Sequence, residues 1–301
     1  MNIIETHNLS RSFLGTEALS GLDINLPAGK VAALLGPNGA GKTTTIKLLM
    51  NLLTPSAGSA RVLGVDSRRL GPAQFAQIGY VSENQKLPLW MTVQGLLDYC
   101  RPFYPTWDRD LERTLIAQFD LPLGRKLSQL SRGMLMKAAL LSSMAYRPRL
   151  LILDEPFSGL DPLVREEFVR GVLEASLSGD WTILISSHDI EEVERLADHI
   201  ILLDRGRLHL SEAADALRSR FRRVEVQSAG EPPSPPEGVL EWERSGALVR
   251  FVEARFDGEE AERRWREHFP GAIITAQPMT LREIFLTFAR GSRTQSKGVA
   301  A

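Results

Sequence analysis

Cysteine, long apolar runs and an excess of charge of one sign are scarce or missing in this sequence of 301 residues. Cys100 is the one cysteine, which excludes an internal disulfide framework and is typical of a reducing compartment. Nowhere do about 18 apolar residues follow one another, the length that a membrane-spanning helix needs. The opening segment MNIIETHNLSRSF lacks the apolar stretch of a secretory signal. We therefore expect a cytoplasmic chain, for which work at a membrane requires a separate membrane-spanning polypeptide.

The charges of the chain nearly cancel. Lys and Arg total 36 against 37 Asp and Glu, so the net charge is −1 and the pI is about 6.6. A general nucleic-acid binder depends on a basic face, so we expect no nucleic acid as a partner. Hydrophobic residues make up 43% of the chain, enough for one large domain or for one with a smaller companion.

A glycine-rich stretch, GPNGAGKT, fits the phosphate-binding pattern G-x-x-x-x-G-K-[ST]. Its glycines let backbone N–H groups converge on phosphate oxygens, while the lysine adds a positive charge and the threonine a hydroxyl for Mg²⁺. KVAALL before it predicts a strand, and TTTIKLLMNLL after it predicts a helix whose positive end faces the same anion. The sequence therefore predicts a nucleotide site formed by Gly36, Asn38, Gly39, Ala40, Gly41, Lys42, Thr43 and Thr44.

A pair of carboxylates follows the apolar run at 150–153. A carboxylate at the C-terminal edge of a parallel strand beside the strand of the phosphate loop is where Mg²⁺ coordination is expected. Adjacent residues of a strand face opposite sides. Asp154 is therefore predicted to serve the metal together with Thr43, and Glu155 to face an attacking water.

With these two motifs and three others, residues 1–220 resemble the nucleotide-binding subunit of ABC transporters. LSRGM stands in the place of the family's L-S-G-G-Q signature, FSGLD in that of its D-loop, and SSHD carries its switch histidine after an apolar strand. The resemblance implies that Glu155 and His188 are catalytic. It also implies further nucleotide contacts, namely adenine stacking by Phe13 and binding by Ser131, Gly133 and Asp161.

The resemblance also implies the architecture and the partners. The fold class is α/β, a P-loop NTPase of the ABC cassette type with a RecA-like core, an antiparallel β subdomain and a helical signature subdomain at about 87–147. Such cassettes dimerise head to tail around two ATP, each P-loop facing the partner's signature segment. ATP and Mg²⁺ are the implied cofactors. The implied assembly is a homodimer, or a heterodimer with another cassette, on a separate transmembrane permease subunit at the inner face of the cell membrane.

The signature serine has a physical rationale of its own. Ser131 precedes a segment with helical apolar spacing, MLMKAALLSSMAY, so it is predicted to be a helix N-cap with free N–H groups beyond it. Such a helix end could bind the γ-phosphate of a nucleotide held by the other cassette.

Two positions depart from the family's commonest pattern. In the Q-loop a glutamine normally reaches Mg²⁺; by register with GYV that position is Glu83, with Gln85 two residues later, and the choice between them stays open. A carboxylate can also ligate Mg²⁺, so Glu83 is a metal candidate. In the signature, Arg132 and Met134 replace a glycine and the glutamine. This variant resembles cassettes of bacterial ABC-2-type exporters, so export of a drug, lipid or peptide is expected.

Between these two motifs the apolar spacing is helical and the segment holds several aromatic side chains. In the family this region meets the membrane subunit, so we expect most of the aromatics in the core and some along a groove for a coupling helix. They are Trp90, Tyr99, Phe103, Tyr104 and Trp107.

The character of the chain changes after residue 220. Polar and apolar residues alternate, as in strands, in RRVEVQ, VLEWER, ALVRFVEARF and AIITAQ. Helical spacing of apolar residues occurs in GEEAERRWREHF and TLREIFLTFAR. A Pro-rich loop is predicted at SAGEPPSPPEG. These patterns predict a small α+β accessory domain at 221–290. The residues at 291–301 are predicted to be a disordered tail.

Two other functions compete with a transport ATPase. A soluble ABC-type ATPase acting on nucleic acid or ribosomes would carry a long coiled-coil insertion or two cassettes in one chain, and this sequence has neither. A nucleotide-gated regulator that barely hydrolyses ATP would not need both Glu155 and His188. The ATP-hydrolysing subunit of a membrane transporter is therefore the leading hypothesis.

Overall fold

The structure, a computed structural model, describes residues 1–177, 181–228 and 233–297. The chain divides into two compact units, Met1–Ser211 and a second unit that begins at Glu212.

The first unit contains two sheets and the helices that cover them. Its strands are β1 (Asn2–Phe13), β2 (Thr16–Leu22), β3 (Asn25–Pro27), β4 (Val31–Leu35), β5 (Ala57–Val62), β6 (Val65–Asp66), β7 (Ile78–Ser82), β8 (Leu150–Asp154), β9 (Thr182–Ser187), β10 (His199–Asp204) and β11 (Arg207–Ala213), which runs into the second unit. Its helices are α1 (Lys42–Leu49), α2 (Pro72–Phe75), α3 (Val93–Cys100), α4 (Arg109–Gln118), α5 (Arg132–Met144) and α6 (Pro162–Leu177).

The larger sheet has the strand order β11-β10-β4-β9-β8-β7, and the pairs from β10 to β7 are parallel. Every residue of β8 and β9 is buried, as expected for parallel strands covered on both faces. The carboxyl ends of parallel strands meet at one edge of a sheet. The segments that follow β4, β7, β8 and β9 therefore lie at the same edge, and these segments carry the predicted site.

One detail of the strand order differs from expectation. We expected the strand that ends in Asp154 to lie beside the strand of the phosphate loop, and this was wrong, because β9 lies between β8 and β4. The order of parallel strands is set by crossover connections and by packing, which a local apolar run does not encode.

The smaller sheet has the order β2-β1-β5-β6, with β3 paired to β1 and every pair antiparallel. One hydrophobic cluster contains side chains of both sheets and of α1, among them Ile4, Leu34 and Ile46, all of which are buried. The apolar face of α1 is therefore held between the sheets, and this packing fixes the start of α1 at the edge of the larger sheet.

The aromatic side chains of the helical segment are more exposed than we expected. Trp90, Tyr99 and Phe103 are exposed, Trp90 with 73% of its surface accessible. Tyr104 and Trp107 are half-buried, and the Tyr104 ring stacks on Tyr146 with 3.8 Å between centroids. The expectation that most of them lie in the core was therefore wrong, because helical spacing does not show which face has a neighbour.

In its described residues, the second unit consists of an antiparallel sheet and three helices. Its elements are α7 (Ala214–Arg220), β12 (Arg222–Gln227), β13 (Leu240–Ser245), β14 (Leu248–Glu253), α8 (Glu259–His268), β15 (Ile273–Pro278) and α9 (Leu281–Lys297). The sheet order is β13-β14-β12-β15. Val224, Val226 and Phe251 from the sheet pack with Trp265 and Phe269 in its core. The strands and helices that alternation and helical spacing predicted here are confirmed.

The ends of this unit differ from the predicted limits. Helix α7 lies ahead of residue 221, yet it contacts α9 and belongs to the second unit. Helix α9 continues to Lys297, past the point at 291 where a disordered tail was expected to begin. The end of that predicted tail, 298–301, and part of the Pro-rich loop, 229–232, lie outside the described residues.

Candidate active site

The glycine-rich loop connects β4 to α1, so the predicted strand–loop–helix arrangement is confirmed. Gly41 is the N-cap of α1 and has a φ of 104°, and a Cβ built on it would lie 2.4 Å from the Leu19 Cδ2 atom. A side chain at Gly41 would therefore be strained by the backbone conformation and would displace the end of the Leu19 side chain. No side chain caps α1, so its first N–H groups are available to an anion.

Lys42 is enclosed by the loop that precedes it. Its Nζ atom donates to the carbonyl oxygens of Gly36 at 2.6 Å and Pro37 at 3.2 Å, and it forms an ion pair with Glu155 Oε1 at 3.0 Å. Only 5% of the Lys42 side chain is exposed. The structure thus places the predicted phosphate-binding cation and the predicted catalytic carboxylate in direct contact.

Asp154 lies at the end of β8, within reach of α1. Its Oδ1 atom accepts a hydrogen bond from Ser186 Oγ at 2.7 Å and from Thr43 Oγ1 at 3.2 Å. Burial raises the pKa of Asp154, and the hydrogen bonds from Ser186 and Thr43 oppose that shift. A buried carboxylate beside a threonine hydroxyl is a donor set that fits Mg²⁺, which combines few protein oxygens with phosphate oxygens and water.

Among the described residues no group of three or more His, Cys, Asp or Glu side chains could hold a metal ion.

Glu155 follows β8 with a φ of 52°, a conformation that non-glycine residues rarely adopt. Its Oε2 atom lies 2.8 Å from His188 Nδ1, and its backbone N–H donates to Ser186 Oγ at 2.9 Å. His188 comes directly after β9, where the sequence predicted it. Two segments that are far apart in sequence therefore bring together a carboxylate and an imidazole.

Ser186 is a site residue that sequence reasoning missed. Its hydroxyl contacts both the Asp154 carboxylate and the Glu155 N–H, and so it fixes the two carboxylate-bearing residues relative to β9. A serine that ends the apolar run TILI was the available signal. The signal was not usable alone, because the role of Ser186 depends on the position of β9 between β8 and β4.

We expect Ser186→Ala to lower the kcat for ATP about tenfold while the Kd for ATP changes less than about threefold. The substitution leaves the N–H of Glu155 without its hydroxyl partner and removes one of the two hydroxyl donors of Asp154 Oδ1, the other being Thr43. Phosphate release and nucleotide titration measure the two constants. Ser142→Ala is the matched control, since Ser142 is also a buried serine whose hydroxyl bonds to a carbonyl within α5. Equal turnover in the two variants would contradict the positioning role.

The signature segment begins α5. Ser131 is the N-cap, and its Oγ atom accepts from the Met134 N–H at 3.3 Å, so the predicted cap is confirmed. Gly133 is buried against Val164 of α6. Asp161 accepts from the Val164 N–H at 3.0 Å, which makes it a cap of α6. Ser131 itself is exposed at the surface of this unit.

The segment after β7 contains the two candidates for the Q-loop position. Glu83 Oε1 accepts from Arg132 Nη2 at 2.6 Å and from Ser158 Oγ at 2.8 Å, and the Glu83 N–H donates to the Asp154 carbonyl at 3.0 Å. Burial raises the pKa of Glu83, but the hydrogen bonds from Ser158 and Arg132 outweigh it and lower the pKa below its ordinary value. Gln85 is exposed, and its Oε1 atom accepts from the Ser82 N–H at 3.4 Å.

Phe13 ends β1 with 40% of its side chain exposed. The guanidinium of Arg11 lies over the ring, 4.6 Å from its centroid. Phe13 is therefore a surface aromatic rather than a core residue.

A phosphate loop at a parallel sheet edge, with a lysine, a carboxylate bonded to a threonine hydroxyl, a glutamate and a histidine, is the arrangement of a P-loop ATPase of the α/β class. A family model described as "ABC transporter" matches residues 19–158, and one described as "AAA domain, putative AbiEii toxin, Type IV TA system" matches residues 123–194.

Curated relatives extend the match. The chain is 35% identical to the daunorubicin/doxorubicin resistance ATP-binding protein DrrA of Streptomyces peucetius, over 76% of this chain and 72% of the relative. It is 26% identical to the ABC transporter ATP-binding protein YtrB of Bacillus subtilis, over 97% and 99% of the two chains. A solved "ATP binding subunit of ABC transporter" superposes with a TM-score of 0.64 at 28% identity, covering 72% of this chain and 92% of the other.

The chain belongs to the ABC transporter family, as an ATP-binding subunit. Its activity is ATP hydrolysis coupled to transport through a separate membrane component. Within the described residues, no helix is both long and apolar enough to span a bilayer.

Proposed function

We propose that this chain drives transport by closing a head-to-tail dimer around two Mg-ATP and reopening it after hydrolysis. One observation carries the proposal. Five side chains suited to phosphate transfer lie together at one sheet edge, namely those of Lys42, Thr43, Asp154, Glu155 and His188. The exposed Ser131, by contrast, is the N-cap of a separate helix, α5, whose first N–H groups face no earlier turn. A helix end of this kind suits the γ-phosphate of a nucleotide bound to another copy.

Each site residue has a role in this proposal. The loop and Lys42 bind the phosphates, Glu155 orients the attacking water, and His188 holds the γ-phosphate. Mg²⁺, when bound, neutralises charge on the phosphates, and Thr43 and Asp154 would hold it. The remaining nucleotide contacts are Gly36, Asn38, Gly39, Ala40, Gly41 and Thr44 of the loop, Phe13 at the adenine, and Ser131, Gly133 and Asp161 from the other copy.

We further propose that the cassette, Met1–Ser211, lies at the inner face of a membrane and that the assembly exports its cargo. The variant signature LSRGM supports export, as do relatives whose names specify drug resistance and Nod factor export. The exposed aromatics Trp90, Tyr99 and Phe103 offer an apolar surface for the membrane subunit. The second unit, which begins at Glu212, is proposed as an accessory domain.

The solution mass of Glu155→Gln protein, measured by light scattering with and without Mg-ATP, tests the dimer. We expect one chain without nucleotide and two chains with it, because a cassette that cannot hydrolyse ATP stays closed. Adding Ser131→Glu to this variant should keep it at one chain, since the new carboxylate repels the γ-phosphate of the other copy.

A mass that stays at one chain although Mg-ATP is bound would contradict the homodimer. A dimer that forms equally well with Ser131→Glu would contradict the head-to-tail arrangement, because the signature segment would then lie outside the interface.

A further inference from the structure

The two positions at which this chain departs from the family's Q-loop and signature patterns contact each other. Glu83 follows β7, Arg132 is the first residue of α5, and 2.6 Å separates the carboxylate Oε1 atom from the guanidinium Nη2 atom. The sequence places them 49 residues apart. Ser158, in the segment after β8, donates to the same carboxylate oxygen at 2.8 Å.

The Arg132 guanidinium also packs directly on the backbone beside Ser158. A Cβ built on Gly159 would lie 2.7 Å from Arg132 Nη1 and 3.0 Å from Arg132 Cζ, and Gly159 has a φ of 67°. A side chain at Gly159 would therefore force the guanidinium out of its place. The segment after β7, the first turn of α5 and the segment after β8 thus meet at one charged contact.

We propose that Glu83, Arg132 and Ser158 form a clasp that positions the signature helix against the catalytic sheet edge, with Glu83 acting through Arg132 rather than as a Mg²⁺ ligand. The Glu83 N–H donates to the backbone carbonyl of Asp154, so the backbone of residue 83 is bonded to the residue whose side chain is proposed to hold Mg²⁺. The Glu83 side chain is tied to the first turn of α5. Through Glu83 the clasp therefore links Asp154 at the end of β8 to the first turn of α5.

The clasp acts on geometry more than on stability. Arg132 is 50% exposed and Glu83 is 30% exposed, and an ion pair with this exposure contributes little to the folding free energy. The orientation of the first turn of α5 decides, however, where its N–H groups point. The proposal rests on the proposed function, since that orientation matters only if the helix end serves a nucleotide of another copy.

A charge-reversal cycle tests the clasp in the full chain. We expect Glu83→Arg and Arg132→Glu each to lower the kcat for ATP about tenfold, and the double variant to recover to within about threefold of the parent. The Kd for Mg-ATP, measured by titration of a fluorescent ATP analogue, should change less than about threefold throughout, because the P-loop is untouched.

A metal role for Glu83 gives the opposite result. Arginine cannot bind Mg²⁺, so the double variant would then remain as inactive as Glu83→Arg, and this outcome would overturn the clasp. The kcat of Glu83→Gln provides a second test of the clasp that does not depend on reversed charges. The clasp predicts that this loss of charge lowers kcat, whereas turnover at the parent level would contradict it.

Glu225 and Arg250 provide the matched control. They form an ion pair of 2.7 Å in the second unit with similar exposure, so their reversal should leave kcat unchanged. If the parent protein does not hydrolyse ATP, the proposed function fails by itself. The clasp is then tested by the melting temperatures of the same variants. We expect the melting temperature of the double variant to exceed the value obtained by adding the two single changes. Additive changes in melting temperature would overturn the clasp.

Discussion

Glu155→Gln is expected to lower ATP turnover by about 100-fold or more while Mg-ATP remains bound. The Glu155 carboxylate lies 2.8 Å from His188 and 3.0 Å from Lys42, and its backbone is held in a left-handed conformation. Glutamine has nearly the same shape, but its neutral amide cannot accept a proton from the attacking water. Because Lys42 would also lose its ion-pair partner, the Kd for Mg-ATP should stay the same or fall.

Phosphate release under saturating ATP measures the turnover, and titration of a fluorescent ATP analogue measures binding. Glu166→Gln is the control, since Glu166 is an exposed glutamate on α6 that forms an ion pair with Arg170. Turnover of Glu155→Gln at the parent rate would remove Glu155 from the catalytic role, whatever the oligomeric state.

Lys42→Ala is expected to raise the Kd for ATP by about 100-fold or more. The substitution removes the buried cation of the loop, together with its contacts to two carbonyl oxygens and to Glu155. Phosphate groups would then meet the backbone N–H groups of the loop beside a carboxylate that no lysine neutralises. The loss should therefore be one of binding, in contrast to the loss of turnover expected for Glu155→Gln.

Nucleotide titration of Lys42→Ala and Lys47→Ala separates this effect from a general change of charge. Lys47 lies on the same helix but is exposed, so its removal should leave the Kd within about threefold of the parent. Tight Mg-ATP binding by Lys42→Ala would contradict the assignment of the P-loop. The melting temperatures of both variants show whether either change disturbs the fold.

The sequence was most informative where a local pattern determines local structure. The strand–loop–helix unit was predicted from three local features: the apolar run of β4, the glycines after it and the spacing of apolar residues in α1. Each of these features depends only on residues close in sequence. The cap at Ser131 and the position of His188 after β9 were predictable for the same reason. In the second unit, alternation predicted β12 and β14.

The features that the sequence did not predict depend on contacts between distant segments. Ser186 matters because β9 lies between the two strands that carry the phosphate loop and Asp154. Arg132 could be recognised as a departure from the family pattern, but its pairing with Glu83 depends on two loops that meet the start of α5. The exposure of Trp90 depends on whether a neighbour covers its helical segment. A pattern of residues close in sequence does not determine any of these three contacts or exposures.

The ion pair between Lys42 and Glu155 has a consequence for the timing of the reaction. In the proposed function Glu155 orients the water and Lys42 binds the phosphates, and the structure pairs these two side chains with each other. We therefore expect ATP binding to draw Lys42 to the phosphates and to free the Glu155 carboxylate, so that hydrolysis becomes possible only after ATP is bound. When phosphate departs, the same cation can recapture the carboxylate. Exchange of this ion pair would therefore set the order of ATP binding and hydrolysis and would keep the nucleotide-free protein inactive.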